Sequence, residues 1–306
     1  MSRHALIFTV AAIALSAACG GRPGPATQNA GAFDPKGSDE KAIAIADQVL
    51  DAVGGAANWA KAKEIVWSQA IVVDGEVKDG VEHSWDRWNG RHQFTRFDNS
   101  GSMGKTSHDL YGDYAFGLIV DSEGRSMEVM KAETPKYATE AGRRFVVDSY
   151  VFLLPFKLKD PGVHLKFVDE ATAKDTKHDV IKVTFDAGVG PASDTYYVLV
   201  DRTTHLPAVI EKVPAGKSDD ARQGFKLAEW RDAGGLKFAT QRWTLGYTQE
   251  SGNKVKLRIP PAWKGKLTVP EILVPEKSEL VYITNVAVNA EADDIRYVKP
   301  ISPDRI

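Results

Sequence analysis

His83, His92 and His108, with Asp86 and Asp109 nearby, are side chains whose types could hold a metal ion. Their spacing argues against it. Segments 81–88 and 91–97 flank Asn89-Gly90, a pair that favours a two-residue hairpin turn with positive φ at both positions. In that register Trp88 faces Arg91, Trp85 faces Phe94 and His83 faces Arg96. His92 then lies about 13 Å along its strand from the partner of His83, while zinc sits about 2 Å from each ligand. No metal site is expected, and the histidines read as solvated or hydrogen-bonded strand residues.

The stretch GSMGKTS (101–107) carries part of a phosphate-binding loop. The full pattern needs glycine at position 99, which is Asn99, and a buried parallel strand ahead of it. A glycine-rich strand connection is the expectation. Neither a Gly-x-Ser-x-Gly elbow nor a His-Glu-x-x-His helix is present. The acidic pairs Asp219-Asp220 and Asp293-Asp294 sit in polar, turn-like stretches and read as solvated. No catalytic residue and no cofactor are expected. A hydrolase assembled from scattered residues is the third of three functional readings.

One cysteine, Cys19, occurs in 306 residues, so no disulfide framework is available. Arg3 and His4 precede an apolar run at 5–15 that is short of the ~20 residues a spanning helix needs. Ser16, Ala17 and Ala18 follow. Basic, apolar and then small is the order of an export signal. Small residues ending at a cysteine resemble the lipobox of bacterial lipoproteins, although the usual leucine three places before the cysteine is Ser16, with Leu15 behind it. The resemblance implies cleavage after residue 18, acylation of Cys19 and attachment to a membrane. Gly20 stands where an inner-membrane retention signal has Asp, so the expected location is the cell envelope, at the outer membrane. Residues 19–38, rich in Gly, Pro and Ala, read as a flexible tether with a reach of about 25 Å. Residues 39–306 read as one domain.

The 39 basic and 41 acidic residues nearly cancel, which excludes a field that gathers nucleic acid. Seven Trp and twelve Phe are enough for a sizeable apolar interior. An amphipathic helix is expected over 39–53, with Ser38 as cap, Ile43, Ala46, Leu50 and Val53 as its stripe, and Gly54-Gly55 as its stop. About six short strands follow. A strongly apolar helix over 142–154, ended by Pro155, interrupts them. Six or more strands come next, then a proline-rich connection over 260–275 and a last strand over 280–289. Short, regularly spaced antiparallel strands suggest a mainly β (α+β) barrel or sandwich, and two helices with nowhere else to be buried suggest a sheet curled around them.

This order, with VLDAVGG (49–55), LLPFKL (153–158) and DTYYVLVDRTTHLP (194–207), resembles the bacterial lipoprotein-localisation factors, the Lol carrier and its receptor. The resemblance implies the fold expected, a curved antiparallel sheet forming a half-open barrel, with an N-terminal helix and a central apolar helix as lid, which holds acyl chains and has no catalytic residues. The aromatic set Trp67, Trp85, Phe94, Phe116, Phe152, Phe156, Phe167, Tyr196 and Trp243 is the expected lining of an apolar cavity under the lid. The function expected is noncovalent binding of a hydrophobic ligand, an acyl chain of lipid or lipoprotein, with an envelope protein as a further partner. The main alternative is a structural or interaction lipoprotein with a filled core.

Overall fold

The computed structural model describes residues 32–299 apart from positions 174, 192, 266 and 270; Cys19, the export segment and most of the tether lie outside the described residues. Helix α1 (Glu40–Ala52) and the short α2 (Ala56–Lys61) open the chain. A first meander follows: β1 (Glu64–Val73), β2 (Glu76–Asp86), β3 (Arg91–Phe97), β4 (Met103–Asp109), β5 (Ala115–Val120) and β6 (Ser126–Glu128). Helix α3 (Thr134–Lys157) leads to a second: β7 (Val163–Ala173), β8 (Thr176–Phe185), β9 (Thr195–Asp201), β10 (Pro207–Val213), β11 (Gln223–Ala233) and β12 (Leu236–Thr244). A small hairpin, β13 (Lys254–Lys256) with β14 (Leu273–Pro275), lies within the proline-rich connection before β15 (Glu279–Asn289).

β15 joins the halves by pairing with β1 on one side and β12 on the other. Among the described residues one antiparallel sheet of thirteen strands results, with β6 and β7 as its two edges. The sheet curves without closing, and the half-open barrel expected from the sequence is the fold. Because α3 lies between β6 and β7 in sequence, it must run from one edge to the other, across the seam of the unclosed barrel.

Alternation along the strands sends side chains to opposite faces. Ile65 and Trp67 of β1 face α3 with Phe152, Leu153, Phe156 and Phe238. Ala70 and Val72 point the other way, under Trp263, Leu267 and Val274 of the proline-rich segment. That segment therefore braces the outer face of the sheet. A third cluster joins α1 (Ala42, Ile45, Ala46, Val49) to Tyr150, Val151 and Leu154 of α3 and to the second meander.

Two helix boundaries differ from expectation. α3 starts at Thr134, with Pro135 in the first turn where a missing amide costs nothing, and Pro155 lies inside its last turn. A proline this close to the end removes one late hydrogen bond, and burial of Phe156 on Trp59 and Phe238 keeps the turn helical. Ser38 does not cap α1: its hydroxyl accepts from Leu165 N, and Asp39 is the N-cap residue. Phe33 packs on the α1–β7 core, so the last residues of the expected tether belong to the folded body.

Gly54 makes the corner between α1 and α2 at φ +118°, in a space where a Cβ would come 2.3 Å from the Gly235 carbonyl oxygen. Gly54→Ala is expected to destabilise the protein by about 2–3 kcal/mol through backbone strain and overpacking. Urea unfolding followed by tryptophan fluorescence measures this; an unchanged midpoint would contradict it.

Candidate functional site: the seam groove and a buried histidine chain

Free space lies at the seam. A groove of about 1870 Å³ runs along α3. Ala115, Phe116 and Glu128 line it from the β5–β6 edge, and Val163 lines it with 160–162 and 188–190 on the β7 side. Its floor is the α3 side carrying Ala138, Gly142, Phe145, Val146 and Val147. Val147 is 54 % exposed and Val146 40 %, an apolar pair left open on a helix whose other side is buried. Tyr111 and Tyr114, from the β4–β5 loop, are also part-exposed along the wall.

α2, β2 and the β2–β3 turn bring three tryptophans, Trp59, Trp85 and Trp88, into the lining at one end. Phe145 meets the Trp85 ring edge-on at 5.3 Å, and the Lys157 ammonium lies 5.3 Å from that ring. Lys157 pairs with Asp160 at 3.2 Å. Arg87, almost buried, stacks its guanidinium 3.6 Å over Trp59, and burial pushes its pKa down to about 10.

The nine aromatics read from the sequence divide. Trp85 and Phe116 line the groove. Trp67, Phe152 and Phe156 interlock under α3 with Phe238, Phe94 packs with Val81 and Ala141, and Tyr196 packs on Tyr150. Phe167 is half-buried beside α1, with the Lys41 ammonium 3.5 Å over its ring. Trp243 lies on the opposite face of the sheet, against the proline-rich brace. Trp67, Phe152 and Phe156 fill the space beneath that part of α3, and the groove lies beside the helix, between it and the wall that Trp85 and Phe116 share. Val146 and Val147 stood within the apolar helix expected at 142–154. Tyr111 and Tyr114 flank Gly112-Asp113, and two tyrosines in an otherwise polar turn were the signal that went unused.

The histidines overturn the expected hairpin register. β2 and β3 pair Asp86 with Arg91, Trp85 with His92 and His83 with Phe94, so the turn spans four residues, 87–90. The cause is Asp86, whose carboxylate accepts from the Trp88 and Asn89 amides, the Asn89 side chain and Arg91 Nε. Gly90 takes positive φ and Asn89 does not, which excludes the two-residue turn. His83 Nδ1 therefore lies 3.1 Å from His92 Nε2, and His92 Nδ1 lies 2.9 Å from His108 Nε2. At the inner end His83 Nε2 is 3.3 Å from Asp148 on α3, which Arg144 also engages while reaching Asp79. The imidazoles form a line and do not converge: among the described residues no group of three or more such side chains is placed to hold a metal ion. His108 Nδ1 lies 3.3 Å from the Asp109 carbonyl oxygen, at the groove.

The fold and site define a half-open antiparallel barrel bridged by a helix, with an apolar groove along the bridge. Residues 142–239 match the model of a family of unknown function, DUF6503. No curated protein matches the chain in sequence. Among solved structures, the chain is similar to a DUF1329 family protein from Desulfovibrio piger (9 % identity, TM-score 0.42, covering 85 % of this chain and 98 % of that one). It is similar also to a putative outer membrane lipoprotein-sorting protein domain from Vibrio parahaemolyticus (8 %, 0.40, 84 % and 96 %). A LolA superfamily protein from Nitrosomonas europaea is a third likeness (8 %, 0.37, 84 % and 97 %).

Proposed function

We propose that this protein is a lipid-anchored envelope protein, held at the outer membrane through acylated Cys19, that binds a hydrophobic guest noncovalently and without catalysis. The guest is an acyl chain of lipid or lipoprotein. The seam groove carries this reading: it exceeds the ~300–1,000 Å³ of ordinary small-molecule sites, and its floor and walls expose Val146, Val147, Tyr111 and Tyr114. Transfer of an alkyl chain from water to such a surface gains roughly 25 cal/mol per Å² before ordering costs.

The filled interior beneath α3 favours a second reading, in which the protein is structural and the groove receives a segment of another envelope protein. Binding of a fluorescent fatty-acyl probe separates the two. Val147→Asp changes an exposed side chain and should leave folding intact while weakening probe binding about tenfold or more, since it sets a charge against the alkyl chain. Absence of probe binding by the folded wild-type chain would refute the guest-binding function.

A further inference from the structure

Arg87 is the unusual cation of the groove. It is 9 % exposed; the Asp160 carboxylate acts on its charge from a distance, and among the described residues no carboxylate pairs with it directly. Its Nη1 donates to the carbonyls of Trp59 and Ala62, both at 2.6 Å, which fixes the guanidinium plane on the Trp59 ring. Its Nε is buried without a hydrogen-bond partner among the described residues. The other charges nearby are matched: Lys157 with Asp160, Lys63 with Glu291, and Arg91 with Asp86 and Asp294. A desolvated guanidinium with an unused Nε donor, lining an apolar groove, has no carboxylate in direct contact.

We infer that the Trp59–Trp85 end of the groove is an anion subsite, in which Arg87 receives the oxyanion head of an amphiphile while its alkyl chain lies along Phe145, Val146 and Val147. The inference rests on the guest-binding reading and adds the chemistry of the head group. A planar guanidinium already fixed by two carbonyls loses little freedom on meeting a carboxylate or a phosphate, and the flanking indoles keep water away from the pair. Lys157, 5.3 Å from the Trp85 ring, supplies a second positive charge at the rim once Asp160 releases it.

The test uses the full chain and three probes that share one oleoyl chain: oleate, oleoyl lysophosphatidate and the neutral monoolein, each below its critical micelle concentration. Calorimetric titration should show both anionic probes binding at least tenfold more tightly than monoolein. The tighter of the two identifies a carboxylate or a phosphate as the natural head. Arg87→Met should remove the preference by lowering the affinity of both anionic probes to that of monoolein, and Arg87→Lys should restore part of it. Equal affinity for all three probes in the wild-type chain overturns the anion subsite and leaves the guest-binding reading standing. Failure of all three to bind overturns both. Should Arg87→Met not fold, the wild-type ratio of oleate to monoolein decides alone.

Discussion

Truncating Trp67 to alanine is expected to lower stability by about 3–5 kcal/mol, the cost of a large unfilled cavity in a rigid core. The side chain is wholly buried, stacked 4.6 Å from the His83 ring and against Phe152. Its loss therefore removes the contact that seats α3 on the sheet together with one wall of the histidine chain. Trp67→Phe separates the two causes of that loss. The indole Nε1 has no hydrogen-bond partner among the described residues, and an unmet buried donor costs about 1–3 kcal/mol. Phenylalanine relieves that penalty while leaving a smaller gap, so its cost should stay near 1 kcal/mol. Denaturant midpoints of both variants check the pair; equal losses would show that Nε1 is satisfied in solution.

Acid should loosen the same junction. Burial holds His83 below its usual value of 6.5 despite the Asp148 carboxylate, and burial with the neighbouring His108 and His83 holds His92 well below it. Unfolding returns both rings to water and to ordinary basicity. Between the folded and unfolded values the unfolded chain binds more protons, so stability rises with pH there. The contribution is complete above about 6.5 and is lost as pH falls beneath it, by up to about 1.4 kcal/mol per pH unit for each ring. Asp148 adds to the trend at lower pH: burial raises its pKa, but hydrogen bonds from His83 and Arg144 outweigh burial and leave it below the carboxylate range. The groups facing the chain are Asp79 and Glu82 on β2 and Arg144 and Asp148 on α3, so the strain of protonation falls between sheet and helix. Hydrogen exchange of the α3 amides between pH 7.5 and 5 should accelerate before that of β1 and β15. A denaturant midpoint constant over that range would exclude the effect.

The architecture was legible because it rests on repeated local signals. Short β-branched runs separated by turn residues mark the two meanders, and Gly54-Gly55 marks the α1–α2 corner. The site was less legible, for three physical reasons. One side chain, Asp86, gathers the turn amides and shifts the hairpin register by two residues, which brings together histidines that spacing alone keeps apart. Burial of an aromatic does not reveal whether its neighbours leave room, so Trp67 and Trp85 look alike in sequence although only the second borders the groove. Arg87 is a single charge in a turn, and its isolation depends on α2 folding back over it.

The two ends of one continuous ribbon of strands bound the groove, and that gives it an unusual mechanical character. Its width is the sum of small rotations between neighbouring strands, each of which varies by several degrees at little cost. A slight common change repeated across the ribbon parts or draws together the rims by ångströms, with every ladder bond kept and no hinge required. Such a cleft can adjust its bore, as a split ring opens or tightens. On the proposed guest-binding function, selectivity falls to the fixed charges beside Arg87, while girth goes largely unread.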